Sequence, residues 1–100
     1  MDDRELLELA AKAAGIKHPG GEHCINGPAV WDCDALRWWR PLTDDGDALR
    51  LAVKLKLIVE VGSCWLSKYG PVFGEDVLPD PLSATRRAIV RAAAEIGRAM

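Results

Sequence analysis

The sequence predicts an α+β fold, in which a small antiparallel sheet of two to four strands packs against three helices in the order α-(β)-α-β-β-(β)-α. Three observations predict it. Segments near the start, middle and end carry apolar residues at three- and four-residue steps. A β-branched run, Leu57-Ile58-Val59-Glu60-Val61, is followed at once by a turn pair, Gly62-Ser63. Clusters of glycine and proline separate these stretches.

The first helix is expected over Asp2 to Ala14. Asp2 and Asp3 can cap its start, and Glu5 lies in the first turn, where the helix dipole favours negative charge. Leu6, Leu7, Ala10, Ala13 and Ala14 give it one apolar face, and Gly15 is placed to end it in a left-handed turn. Residues 16–28 contain Pro19, Gly20, Gly21, Asn26, Gly27 and Pro28 and read as irregular structure. Residues 29–39 are mixed and read in part as a short edge strand. Trp31, Trp38 and Trp39 lie in it.

Thr43 is the expected N-cap of the second helix, and Asp44, Asp45 and Asp47 suit its first turn. Ala48, Leu49, Ala52 and Leu55 form the expected apolar stripe. Leu57 to Val61 then pairs with Cys64 to Tyr69 as a hairpin, and Val72 to Leu78 adds a third strand weakened by Gly74. Pro79, Asp80 and Pro81 lead into the last helix, Leu82 to Ala99, capped by Asp80 or Ser83. Its inner side is Ala88, Ile89, Ala92, Ala93 and Ile96. Arg87, Arg91 and Arg98 fall within about 40° of one another on the opposite side, at roughly 100° per residue.

Composition narrows the functional classes. A chain of 100 residues is expected to make one domain, with oligomerisation a natural source of added stability. A net charge of −2 argues against a protein that coats long nucleic acid, while leaving room for a local basic patch. No apolar run suits a membrane span, and the start Met1-Asp2-Asp3-Arg4 is unlike a signal peptide. An odd set of cysteines (Cys24, Cys33 and Cys64) fits reduced thiols. A bacterial cytoplasmic location is the expectation.

Four constellations bear on chemistry. Arg86, Arg87, Arg91 and Arg98 read either as a solvated helix face or as a site for phosphate or an acidic partner. Trp38 and Trp39, beside Arg37 and Arg40, suit a nucleobase and its phosphates, unless the rings fill the core. Asp44, Asp45 and Asp47 read as helix-capping groups, or as acceptors for ribose hydroxyls, or as partners for a neighbouring subunit's arginines. His18, His23, Cys24, Cys33 and Cys64 are zinc-ligand types, but no paired ligand spacing is present, so no metal and no other cofactor is expected. No G-x-S-x-G elbow, Walker loop or H-E-x-x-H occurs, and a binding role without turnover is the expectation.

Two stretches, Trp39-Arg40-Pro41-Leu42-Thr43-Asp44-Asp45-Gly46-Asp47-Ala48-Leu49-Arg50-Leu51-Ala52-Val53-Lys54-Leu55 and Ala84-Thr85-Arg86-Arg87-Ala88-Ile89-Val90-Arg91-Ala92-Ala93-Ala94-Glu95-Ile96-Gly97, resemble small tailed-phage and prophage proteins of the ABA-sandwich and NinX-like group. Members of that group read W-N-P-L-T-D-D-G-D-A and A-T-R-R-A-I-V-R-A-A. This chain departs from the pattern at Arg40, where asparagine is usual, and in its His/Cys/Trp-rich stretch from His23 to Trp39. The resemblance implies a phage accessory protein, of the kind that neutralises host defence. The leading expectation is a homo-oligomeric sponge for a cyclic nucleotide or ADP-ribose derivative. Arg86, Arg87, Arg91 and Arg40 would hold phosphates, Trp38 or Trp39 would stack on the base, and Thr43, Asp44, Asp45 and Asp47 would line the rest. The alternative is an inhibitor of a host effector acting by protein–protein contact.

Overall fold

A computed structural model describes residues 2–17, 24–67 and 70–100. It contains three helices and two separate antiparallel three-stranded sheets, an α+β fold. The elements are α1 (Asp3–Ala14), β1 (Ile25–Asn26), β2 (Ala29–Asp32), β3 (Arg37–Trp39), α2 (Asp45–Lys54), β4 (Ile58–Glu60), β5 (Ser63–Trp65), β6 (Val72–Gly74) and α3 (Pro81–Ala99). Expectations for His18, Pro19, Gly20, Gly21, His23, Lys68 and Tyr69 lie outside the described residues.

Local signals explain the helix ends. The Asp2 carboxylate accepts from the Glu5 amide at 2.8 Å, and Gly15 adopts φ 73° after the last turn of α1. Asp80 caps α3 through the Ser83 amide at 3.2 Å, with Pro81 at the first helical position. The N-cap of α2 is Asp44 rather than Thr43, since the Asp44 carboxylate takes the Asp47 amide at 2.8 Å.

The core is one cluster in which α1 and α3 bury alanine-rich faces against each other. The two helices run in the same direction. Arg87 reaches Asp3 near one end, and Lys12 reaches the Met100 carbonyl at the other. Between these contacts the backbones meet at Gly97, where an added Cβ would overlap the Leu9 carbonyl oxygen.

Two larger features also depart from the sequence reading. The irregular stretch builds a sheet of its own, ordered β1-β2-β3, in place of a short edge strand. In α2 the buried face is Asp47, Ala48, Leu51 and Ala52, so Leu49 points into solvent. Leu51 continues the i, i+3, i+4 stripe from Ala48 that Leu49 cannot share.

The β4–β5–β6 sheet packs on α3. Its turn is Val61-Gly62 rather than Gly62-Ser63. Gly62 sits at φ 77°, and a side chain there would overlap Val77. Among the described residues no helix is long and apolar enough to cross a membrane.

Candidate functional site

The β2–β3 hairpin places the site. Alternation along paired strands sends Val30 and Trp39 to one face and Trp31 and Trp38 to the other. Val30 and Trp39 enter the core, and Trp39 is only 5 % exposed. It therefore takes the core-filling role that its sequence reading allowed, and of the two candidate stacking rings only Trp38 remains. Trp31 and Trp38 are half-buried cross-strand partners, their rings edge to face with centroids 5.4 Å apart at 72°.

The loop joining these strands is tightly organised. The Asp32 carboxylate accepts from the amides of Asp34 at 3.0 Å and Ala35 at 3.1 Å. The Leu36 amide then closes on the Asp32 carbonyl at 2.8 Å. Leu36 takes a left-handed conformation at φ 56° and is 73 % exposed. Neither backbone preference nor burial favours a leucine there.

Next to the indoles lies a buried carboxylate. Asp47 has no exposed surface, and its oxygens accept four hydrogen bonds. Arg37 grips it with both terminal nitrogens at 2.8 and 3.1 Å, Arg50 Nη2 approaches at 2.7 Å, and the Arg40 amide donates at 2.9 Å. Burial pushes the Asp47 carboxyl up. The hydrogen bonds from Arg37, Arg50 and the Arg40 amide outweigh it, so the group is held below the usual carboxylate range. The same contact raises Arg37 above its ordinary value.

Trp31, Trp38, Arg37, Arg40, Thr43 and Asp44 thus surround a cleft of about 430 Å³, with Leu36 at its rim and Asp47 in its wall. Arg37 is committed to Asp47, and the Asp44 carboxylate caps α2 while lying 3.7 Å from Arg50. The Arg40 guanidinium has no ionic or hydrogen-bonding partner among the described residues, and it is exposed.

The other predicted site residues go elsewhere. Arg86 donates to the Leu42 carbonyl at 2.8 Å and to Asp45 at 2.6 Å, clamping α3 to the start of α2. Arg87 pairs with Asp3 at 2.8 Å. Arg91 binds the Gly74 carbonyl at 2.8 Å and Glu75 at 2.9 Å, and lies over the Phe73 ring. Arg87 and Arg91 line a separate cleft that contains Glu75 and Glu95 and no tryptophan. The arginine row therefore ties α3 to three neighbours, and it does not meet the indoles.

Among the predicted residues, the fold assembles Trp38, Arg40, Thr43, Asp44 and Asp47. It adds Trp31, Leu36 and Arg37. The signal for Trp31 was its position across a turn from Trp38. Leu36 had no readable signal. No cluster of three or more potential metal ligands occurs among the described residues. No family model matches the chain, no curated protein matches it, and no solved structure matches it.

Proposed function

We propose that this chain is a phage-encoded counter-defence protein that sequesters a small nucleotide-type signal without cleaving it, at the Trp31–Trp38 cleft. The observation that carries this reading is an indole pair beside Arg40, a cation with no partner among the described residues. A base stacked on an indole gains about 1–3 kcal/mol, and a guanidinium at its edge matches a phosphate. The Thr43 hydroxyl and the Asp44 carboxylate stand on the same wall, where they can meet ribose hydroxyls. A volume of about 430 Å³ suits a mononucleotide or one half of a cyclic dinucleotide.

Sequestration is favoured over turnover by the state of Asp47. It is the one fully buried carboxylate in the wall, and three donors hold it ionised, which leaves it a poor proton acceptor. The phage assignment rests on the resemblance of residues 39–55 and 84–97. Arg86, Arg87 and Arg91 leave the proposed phosphate site, because each is paired elsewhere.

Isothermal titration with cyclic dinucleotides, ADP-ribose and AMP tests this reading. Heat is expected from at least one ligand. Trp38→Ala or Arg40→Glu should abolish it while circular dichroism is unchanged, and chromatography should recover the ligand intact. A folded protein that gives no heat with any of them overturns it.

A further inference from the structure

The geometry points to a twofold homodimer formed through β4 and the apolar surface beside it. α2 turns Leu49 and Val53 outward, one helical turn apart, at 62 % and 68 % exposure. Leu49 and Val59 of β4 meet Leu82 of α3 in one groove. Beyond it, exposed Val61 and Leu78 extend the strip around the Gly62 turn, where Val77 packs. Monomers seldom expose a connected apolar patch of more than a few hundred Å². Exposed apolar side chains gathered on one side of the molecule in this way mark a site of association.

Two observations select a second copy as the occupant. β4 is an edge strand whose three residues are all exposed, and edge strands pair with edges. Its flanking charges are also self-complementary. Lys56 precedes β4, Glu60 ends it, and neither has an ionic partner among the described residues. Antiparallel pairing of β4 with its own copy about a twofold axis at Ile58 sets Lys56 of each chain opposite Glu60 of the other, twice. This surface shares no lining residue with the tryptophan cleft, so its test is independent of ligand binding.

Sedimentation equilibrium is the measurement. The wild-type chain is expected at twice its 10.9 kDa mass. Leu49→Asp combined with Val53→Asp changes only exposed side chains and should give a folded monomer. Lys56→Glu sets like charges face to face and should weaken the dimer about tenfold. Adding Glu60→Lys to it should restore wild-type association, an outcome specific to self-pairing. A wild-type monomer at up to about 1 mM overturns the proposal. So does a charge swap that fails to restore association to the Lys56→Glu variant.

Discussion

Replacing Asp47 by asparagine tests how much of this fold hangs on one buried charge. The carboxylate accepts two hydrogen bonds at each oxygen. Oδ1 takes Arg37 Nη1 and Arg50 Nη2, and Oδ2 takes Arg37 Nη2 and the Arg40 amide. Whichever way an asparagine amide is turned, its NH₂ group faces two donors. At least two charge-assisted bonds are lost, at about 1.5 kcal/mol each, giving a cost of about 3 kcal/mol. The cost stays at the low end for a broken buried pair, because the Arg37 and Arg50 side chains are 48 % and 66 % exposed and regain water. In a domain of this size the loss lowers the melting temperature by roughly 12–24 °C. Urea unfolding followed by circular dichroism measures it. Asp45→Asn is the control, since its carboxylate is 63 % exposed and an asparagine carbonyl can still accept from Arg86, so it should cost no more than about 1 kcal/mol. The pH dependence has a definite sign. A carboxyl held below its unfolded value of about 3.9 stabilises the fold above that pH, and the benefit is lost as pH falls through the lower folded value. The acid limb of the stability curve should therefore be shallower in Asp47→Asn. A cost under about 1 kcal/mol, with an unchanged acid limb, would show that the carboxylate is not the hub its four contacts imply.

Three further outcomes are expected. Gly97→Ala drives a methyl into the Leu9 carbonyl and should cost about 2–4 kcal/mol, seen as a lower urea midpoint. Gly62→Ala combines a φ of 77° with overlap at Val77 and should cost about 1–3 kcal/mol in the same assay. Burial pushes the Cys64 thiol up to about 11, so a thiol reagent at mildly alkaline pH should label it only as the chain unfolds. Because that folded value is raised, the associated stability is complete below the unfolded value of 9.0 and declines as pH rises through about 11.

What the sequence made legible was local. Asp2 with Glu5, Gly15, and Asp80 with Pro81 are cap signals readable within a few residues, and the structure uses each of them. The hairpin from Ile58 to Trp65 was legible because β-branched residues flank a glycine turn. What was not legible depended on residues distant in the chain. The β1–β2–β3 sheet has strands of two to four residues, too short for alternation to show. The outward turn of Leu49 was decided by which face of α2 met α3, and two leucines two positions apart left that open. Asp47 read as a dipole partner at a helix start. Its burial required Arg37, ten residues earlier, to fold back across it. In the candidate site, Trp38 and Arg40 were readable from composition, but the exclusion of Trp39 followed only from the pairing Val30↔Trp39.

The charge distribution explains why the arginine-rich helix is a poor guide to binding here. α3 is basic by sequence, yet its arginines at positions 86, 87, 91 and 98 each have an acidic partner, drawn from Asp45, Asp3, Glu75 and Glu95. A cation already paired must give up that contact before it can hold a phosphate, so its contribution to ligand binding is a small difference between two similar terms. Arg40 gives up no described contact. Arg37 stands between these cases, since its hold on Asp47 fixes the wall on which Arg40 and the indoles are mounted. Stability and binding should therefore separate by residue. Arg40 substitutions act on affinity with the fold intact, Arg86 substitutions act on the fold alone, and Asp47 substitutions act on both, because the Arg40 backbone is anchored to that carboxylate.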